Sequence, residues 1–402
     1  MVMMQSRSPI KRGSFFERLG GTQSNLSNPS KSSSSSCYYE FVCESVSASV
    51  KYYDIQGHRG ARGDAIENTI PAFARGLLNG VTTLEMDNGL TKDGVVVVWH
   101  DWDIKDTKCK DTKPAFPNDP DFPYVGKFVA NLTLAQIKTL DCGSLRQNEF
   151  PMQLTTRGMK ISTMEEVFDF VNCVDTKREV SFNVESKVNP RVGGITRNPA
   201  DFVAAQHAAF VASGYPLSQI QYQSFDWRTL IEMHKVEPQL FLSALIKSNF
   251  LEPDGTKSPW HAGLDVRGFP GATLGEKIAY AAASINATIL SPADTDHDSP
   301  VLDPTVPGYI PFTTKAMIDR AHELGLKVIP WTVNRLNVAQ QLIDWKVDGI
   351  ITDYGASVRA LAKSAGLKVR PRFGANRVRQ CVKKHIQLTS ESLADVDALL
   401  VN

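Results

Sequence analysis

The stretch YDIQGHRG, residues 53–60, decides between two ways of building a parallel sheet. Its first half, residues 53–56, is β-rich and predicts a strand, and that strand ends in Gly57-His58-Arg59-Gly60. An open, doubly wound sheet would normally carry a glycine-rich phosphate loop at this point. The chain has no such loop here, so the first strand favours a closed barrel over an open sheet.

The same pattern continues to about residue 365. Short β-rich runs alternate with longer amphipathic stretches, which is typical of α/β architecture with parallel strands. The nine candidate strands are residues 53–56, 83–86, 95–99, 180–185, 220–224, 240–245, 288–290, 327–331 and 349–352. A barrel needs eight strands, and the hairpin signal Asp93-Gly94 before the third run accounts for the surplus one. The predicted fold is a (β/α)8 TIM barrel spanning residues 51–366.

Three segments interrupt or flank that rhythm. Residues 102–160, rich in proline between 114 and 123, are predicted to be an insertion on a barrel loop after the His-Asp strand. Residues 1–50 are serine-rich and are predicted to be a disordered leader. Residues 367–402 are predicted to be a basic, irregular extension in which a weak helical pattern resumes at residues 392–401. We expect no second folded domain.

Composition indicates a soluble globular protein. The 402 residues include 44 Lys plus Arg against 43 Asp plus Glu, which gives a formal net charge of +1. No apolar run approaches the roughly 20 residues of a membrane-spanning helix. Near-neutrality also argues against a nucleic-acid partner. The seven basic residues within 368–384 are interpreted as a solvated surface, with weak contact to an anionic membrane surface as the alternative.

The six cysteines, at positions 37, 43, 109, 142, 173 and 381, are irregularly spaced and form no CxxC pair. They are predicted to be ordinary buried thiols, with a Cys109–Cys142 disulfide as the alternative if the protein is exported. We interpret the leader as a flexible tail. An organelle transit peptide is the alternative, because the leader is basic and poor in acidic residues. The cytoplasm is the favoured compartment, and an organelle or export is the alternative.

Polar residues accumulate where the predicted strands end, and in a βα barrel that face holds the active site. Glu85 and Asp87 stand two apart on one strand, so both carboxylates point to the same side. Glu185 and Lys187 repeat that geometry on another strand. Three converging carboxylates would repel one another without a cation. Ligation by oxygen alone points to Mg²⁺ or Ca²⁺, or to Mn²⁺, rather than zinc.

Two histidines follow separate strands. His58 and His100 supply what proton transfer near neutral pH requires, one group to take a proton and one to give it. Arg59 and Lys187, together with a cation, would suit an anionic phosphate group. The residues therefore predict cleavage of a phosphoester.

The ordered blocks of the chain resemble those of the glycerophosphodiester phosphodiesterase family over residues 54–365. The blocks are His58-Arg59-Gly60, Glu67-Asn68-Thr69, Glu85-Met86-Asp87, Thr91-Lys92-Asp93-Gly94, His100-Asp101, Glu185-Ser186-Lys187, Trp331-Thr332-Val333-Asn334 and Asp348-Gly349-Ile350-Ile351-Thr352-Asp353. Eight blocks in order make the resemblance specific, although each block alone is weak. The chain departs from the family's pattern at Ile66, where proline is usual, and at Ser186, which we expect to face the helices.

The resemblance implies a hydrolase that cuts glycerophosphodiesters to glycerol 3-phosphate and an alcohol. It places one divalent cation on Glu85, Asp87 and Glu185, and it makes His58 and His100 the acid-base pair. The remaining implied roles are phosphate contact by Arg59 and Lys187, support of Arg59 by Glu67, further support by Asn68, and packing of Trp331 against the glycerol. The nucleophile stays open between water and the substrate's own glycerol hydroxyl.

Three other functions compete with this interpretation. A lysophospholipase D or sphingomyelinase D-like phosphodiesterase would use a similar site, but it would need an apolar channel that the insertion, with Asp119 and Asp121, does not obviously supply. A non-catalytic phosphate-binding barrel would be expected to lose one histidine or carboxylate, and all of them are present. A membrane or nucleic-acid adaptor would rest on residues 368–384 alone.

Overall fold

The computed structural model describes residues 52–386 and 390–400, so the predicted leader lies outside the described residues. The strands are β1 Asp54–Gly57, β2 Thr83–Leu90, β3 Val96–Val98, β4 Ser181–Ser186, β5 Ile220–Ser224, β6 Phe241–Ile246, β7 Ile289–Pro292, β8 Lys327–Val328 and β9 Gly349–Thr352. The helices are α1 Ile70–Asn79, α2 Leu134–Ile137, α3 Met164–Val174, α4 Pro199–Ala212, α5 Trp227–Val236, α6 Leu274–Ser284, α7 Lys315–Glu323, α8 Leu336–Asp344, α9 Gly355–Ser364, α10 Ala375–His385 and α11 Ser390–Leu400.

Eight of the strands form a parallel barrel. They follow the order β8-β7-β6-β5-β4-β2-β1-β9. The two ends of this series meet, because Asp348 N donates to Val328 O at 2.9 Å and Ile351 N donates to Pro330 O at 3.0 Å. The predicted TIM barrel is confirmed.

The surplus strand is β3, as the hairpin signal predicts. It runs antiparallel to the second half of β2, with Asn88 opposite Val98 and Leu90 opposite Val96. The parallel pairing of β2 with β4 sets Asp87 directly opposite Glu185. Because strand register fixes which side chains share a face, this pairing brings two of the candidate metal ligands together.

Local sequence signals explain where the barrel helices begin. Thr69 caps α1, its hydroxyl accepting a hydrogen bond from Ala72 N, and Thr163 and Thr273 form capping boxes at α3 and α6. The apolar faces of the helices pack on the strands, where rings such as Phe168 and Phe182 lie 4.6 Å apart. Full burial of one such side chain stabilises the fold by roughly 1.5–3 kcal/mol.

The insertion has a small core of its own. Its buried side chains include Ile104, Tyr124, Leu132 and Ile137. A disulfide joins Cys109 to Cys142 within the insertion. The insertion therefore forms a folded cap on the barrel.

The C-terminal extension differs from the sequence prediction. Residues expected to be irregular form α10 and α11, which pack against α1, and α10 also packs against α3. The reason is an apolar face, Val378 and Val382 on α10 and Val396 on α11, that is fully buried while most of the basic residues remain exposed. The helix predicted near the C-terminus is confirmed as α11.

The cysteine prediction also needs correction. Among the described residues, all four cysteines are paired, in Cys109–Cys142 and in Cys173–Cys381. The second bond ties α10 to α3 across 208 positions, a proximity that the spacing of cysteines along the chain does not reveal. Within the described part of the chain, no helix has the length and apolar character to cross a membrane.

Candidate active site

The predicted site residues meet at the C-terminal face of the barrel. Glu85 and Asp87 lie on β2 and Glu185 on β4, while His58 follows β1 and His100 follows β3. Both histidines line one cavity of about 150 Å³, together with Arg59, Lys187 and Trp331 from the prediction. The fold thus assembles a site from five separate segments, as expected for this face.

Three buried carboxylates form the floor of the site. Oxygen atoms of Glu85, Asp87 and Glu185 lie within 4.8 Å of one another, and each residue is at most 6% exposed. Burial and the neighbouring charges of Asp87 and Glu185 raise the pKa of Glu85. Burial also raises the pKa of Glu185, to about 7. This crowding of like charges fits a divalent cation that prefers oxygen ligands.

Arg59 is held between carboxylates. Its guanidinium donates to Glu67 at 2.9 Å and lies 3.2 Å from Asp87, and its backbone N–H donates to Glu85 at 2.6 Å. Burial tends to lower the pKa of Arg59, but the neighbouring carboxylates outweigh this effect and raise the pKa of Arg59. The predicted support of Arg59 by Glu67 is present in the structure.

Asn68 fixes Asp87 from a second side. Its Nδ2 donates to Asp87 Oδ2 at 2.8 Å, and its Oδ1 accepts from Asp87 N at 3.2 Å. Asn68 adopts a positive φ of 57°, a conformation that asparagine tolerates better than most residues. The paired contacts hold the Asp87 carboxylate in one orientation.

Lys187 lies on the other flank of the carboxylates. Its Nζ lies 2.7 Å from Glu185 Oε1 and 3.5 Å from Asp87 Oδ1. Arg59 and Lys187 therefore bracket the carboxylates and present two cationic groups to the same cavity.

His58 is oriented by Asp353, a residue at the end of β9. Nδ1 of His58 lies 2.8 Å from Oδ1 of Asp353, which is fully buried. Burial tends to raise the pKa of Asp353, but its contacts with His58 and Arg62 outweigh burial, so the pKa of Asp353 is lowered. Burial lowers the pKa of His58, which keeps its ring neutral. An ionised Asp353 requires the His58 proton on Nδ1, and this leaves Nε2 as the free nitrogen.

His100 has a carboxylate partner of its own. Its Nδ1 lies 3.0 Å from Asp101 Oδ1, and Lys108 bonds the other oxygen of Asp101 at 2.5 Å. Burial, followed by the charges of Arg59 and Lys187, lowers the pKa of His100 to about 3. The two histidines thus share one design, a ring with Nδ1 anchored and Nε2 free.

Several residues that support the site had no role predicted from the sequence. Asp353 is the main one, and Arg62 and Asn334 donate to its carboxylate. Gln223 on β5 donates to Glu85 at 2.9 Å, and Lys108 bridges Glu67 and Asp101. Asn334 and Asp353 each end one of the sequence blocks that resemble the family. Their position after a predicted strand is the feature of the sequence that could have indicated a role in the site.

The two departures from the expected pattern leave the site intact. The Ser186 hydroxyl lies 3.1 Å from that of Thr229 on α5, so this side chain faces the helices as predicted. Ile66 is buried, and its carbonyl accepts a hydrogen bond from the Thr69 hydroxyl at 2.6 Å.

Comparison with protein families agrees with this geometry. The model of the glycerophosphoryl diester phosphodiesterase family matches residues 58–356, from the histidine after β1 to the start of α9. The chain is thus an enzyme, a hydrolase of phosphoric diesters built on a TIM barrel. It belongs to the glycerophosphoryl diester phosphodiesterase family.

Individual relatives resemble the chain in sequence or in fold. A glycerophosphodiester phosphodiesterase from Caldanaerobacter subterraneus is 25% identical over 309 residues, which cover 77% of this chain and 97% of that protein. The structure of a candidate glycerophosphoryl diester phosphodiesterase from Silicibacter pomeroyi is 27% identical, with a TM-score of 0.62 over 79% of this chain and 95% of that one. An Oleispira antarctica phosphodiesterase, solved with its product sn-glycerol-3-phosphate, has a TM-score of 0.53 at 18% identity and covers 78% of this chain and 97% of its own.

A lysophospholipase D from Rattus norvegicus also matches, but only over 48 residues, which cover 12% of this chain and 15% of that protein. The match is 46% identical, but it spans too little of either chain to define a substrate. It therefore carries no argument for a lysophospholipid substrate.

Proposed function

We propose that the enzyme hydrolyses glycerophosphodiesters to glycerol 3-phosphate and an alcohol, using a divalent cation and the two histidines as the acid-base pair. The observation that carries this proposal is the shared cavity. His58 and His100, each with Nδ1 anchored by an aspartate, line it beside a buried carboxylate triad. Membership of the family supports the reaction.

The histidines exchange protons at their Nε2 atoms. A neutral ring with its proton on Nδ1 has an unprotonated Nε2, which can accept a proton from the nucleophile. The partner histidine must carry a proton there to give to the leaving alcohol. In the protein without substrate, burial and then the positive charges of Arg59 and Lys187 lower the pKa of His100. A bound phosphate offsets those two charges, so protonation of His100 becomes easier.

Arg59 and Lys187 bind and orient the phosphate. Both reach the cavity from fixed ion pairs, so little side-chain freedom is lost on binding. Trp331 is held by a hydrogen bond from its indole Nε1 to Ser291 O at 2.9 Å, and we assign its exposed ring surface to the glycerol carbons.

Glu85, Asp87 and Glu185 would hold the cation, and their oxygen-only donor set suits Mg²⁺, Ca²⁺ or Mn²⁺. When bound, such an ion acts as a Lewis acid that stabilises charge on a phosphoryl oxygen. Glu67 and Asn68 would keep Arg59 and Asp87 in place around it. The substrate is a small molecule.

The decisive test is release of glycerol 3-phosphate by purified protein. The protein is stripped with EDTA, and hydrolysis of glycerophosphocholine, glycerophosphoethanolamine, glycerophosphoinositol and glycerophosphoglycerol is measured with and without each cation. Lysophosphatidylcholine serves as the competing substrate. We expect cation-dependent turnover of glycerophosphodiesters. Full activity in EDTA, or hydrolysis of lysophosphatidylcholine alone, would overturn the proposal.

The acid-base pair is tested by His58→Ala and His100→Ala, with the exposed His297→Ala as the matched control. Each active-site variant should lose on the order of 10²- to 10⁴-fold in kcat without loss of fold. The control should retain wild-type turnover. Near-wild-type kcat in either active-site variant would remove that histidine from the mechanism.

A further inference from the structure

A second cavity of about 340 Å³ opens beside the catalytic one, and we refer to it as the aromatic cavity. It shares His100, Glu185, Lys187, Phe225 and Trp331 with the catalytic cavity. A substrate whose phosphate lies between Arg59 and Lys187 can therefore extend into it. Its outer wall includes Trp102 and Lys105 from the insertion.

Stacked rings build the deep wall of the aromatic cavity. Phe250 lies face to face with Trp260, with ring centres 4.0 Å apart and an angle of 9° between planes. Phe225 meets both Phe250 and Trp331 edge-on, at 5.1 and 5.2 Å. Such a wall excludes water from one side of any group bound against it.

Lys247, just after β6, lies over this wall. Its Nζ is 4.1 Å from the ring centre of Phe250 and 5.5 Å from that of Phe225. Within residues 52–386 and 390–400, no carboxylate forms an ion pair with Lys247 and no side-chain or backbone acceptor hydrogen-bonds its ammonium. The two other lysines of the cavity are paired, Lys105 with Asp103 at 2.8 Å and Lys187 with Glu185 at 2.7 Å.

An unpaired, half-buried ammonium lacks the partner that such a group normally has. Burial and repulsion from Lys187 outweigh the more distant charge of Glu185 and lower the pKa of Lys247, as expected for a cation without a carboxylate in contact. The aromatic faces supply only part of the missing stabilisation, since a cation over a ring is held by roughly 0.5–2 kcal/mol. An oxygen anion in the cavity would supply the rest.

We propose that the aromatic cavity is a specificity subsite in which Lys247 binds a second negatively charged group of the substrate, such as a further phosphate beyond the scissile one. This inference rests on the proposed function, since it concerns the same glycerophosphodiester. The ammonium has only donors, so its partner must be an acceptor. A quaternary ammonium group is disfavoured here, because Lys247 already lies over the rings of Phe225 and Phe250 and repels a second cation.

The test compares two substrates that differ by one phosphate. Bis(glycerophospho)glycerol contains glycerophosphoglycerol plus a second glycerophosphate. Because it has two equivalent scissile bonds, its kcat/KM should exceed that of glycerophosphoglycerol by a factor of two without any subsite. We expect the wild-type enzyme to prefer it by a further factor on the order of 10 or more, which is typical of a hydrogen bond to a charged group. Lys247→Met should reduce the preference to about twofold while retaining hydrolysis of glycerophosphoglycerol.

Two matched variants complete the experiment. Lys105→Met removes a lysine of the same cavity that already has a partner, and it should keep the wild-type preference. Lys247→Arg keeps the charge and should keep most of the preference, which separates loss of charge from loss of fold. A wild-type preference of twofold or less, or an unchanged preference in Lys247→Met, overturns the subsite. Absence of turnover with every diester instead overturns the proposed function, and the subsite with it.

Discussion

Nδ1 of His58 lies 2.8 Å from Oδ1 of Asp353, although the two residues are 295 positions apart in the chain. The pair forms because β1 and β9 are hydrogen-bonded neighbours in the barrel, with Gly57 opposite Thr352. Asp353 also accepts hydrogen bonds from Arg62 and Asn334. Its carboxylate is therefore fixed from three sides and fixes the His58 ring in turn.

Replacing Asp353 by Asn should lower kcat on the order of 10²- to 10⁴-fold with a much smaller change in KM. An amide can donate to Nδ1, which would favour the tautomer with the proton on Nε2 and remove the base. Asp348→Asn is the matched control. Asp348 precedes β9 at the end of the strand opposite to Asp353, and its carboxylate hydrogen-bonds His322. Steady-state kinetics across pH would check this, and equal losses of kcat in both variants would contradict it.

Cation binding should strengthen as pH rises through about 7. Burial raises the pKa of Glu185 to about 7, and this carboxyl must lose its proton to become a ligand. Binding below that pH therefore releases a proton, and affinity falls as pH falls. Calorimetric titration of the EDTA-stripped protein with Mg²⁺, Ca²⁺ and Mn²⁺ between pH 6 and 8 measures this directly.

The matched variant for that titration is Glu185→Gln. It should bind the cation more weakly and with a shallower pH dependence, because the Gln amide does not titrate whereas Glu85, whose pKa is also raised, still does. Affinity that is independent of pH in the wild-type protein would argue against Glu185 as a ligand.

The two disulfides should be detectable and stabilising. In a Cys37→Ser/Cys43→Ser background, four cysteines remain, and none should react with an alkylating agent in denatured, unreduced protein. Replacing Cys173 and Cys381 by Ser should cost about 2–4 kcal/mol, because the bond restricts the unfolded chain over a long loop. Alkylation of all four thiols without reduction would contradict the pairing.

His261 should make the protein less stable in acid. Burial lowers its pKa from 6.5 to about 4, and neither ring nitrogen has a hydrogen-bond partner within the described residues. As pH falls below 6.5 the unfolded chain takes up a proton that the folded protein does not accept until about pH 4. The free energy of unfolding therefore decreases across that window, by at most about 3 kcal/mol.

Urea unfolding at several pH values would measure this effect. His261→Leu keeps the packing against Trp227, whose ring centre lies 4.7 Å away, and should reduce the slope of the profile between pH 6.5 and 4, where His58 and His100 still contribute. The exposed His297→Gln should keep the wild-type profile. Parallel profiles for wild type and His261→Leu would show that another group causes the acid sensitivity.

Local patterns in the sequence are enough to predict the barrel and most of its candidate active-site residues. Strand and helix periods depend on neighbouring residues, and the carboxyl ends of parallel strands must share one face. Glu85, Asp87 and Glu185 can therefore be placed together from the sequence alone. The surplus strand is equally local, since it follows from the turn at Asp93-Gly94.

Only the tertiary structure decided the partners of those residues. Asp353 beside His58, Cys381 beside Cys173 and Lys247 above Phe250 depend on barrel closure, on helix packing and on the path of loops, none of which has a local period. The same holds for α10 and α11, whose short apolar faces are buried because α1 and α3 offer a surface to cover. The sequence by itself determined which chemical groups reach the barrel mouth. Tertiary packing determined how each group is charged, oriented and partnered, because those properties arise from contacts between distant parts of the chain.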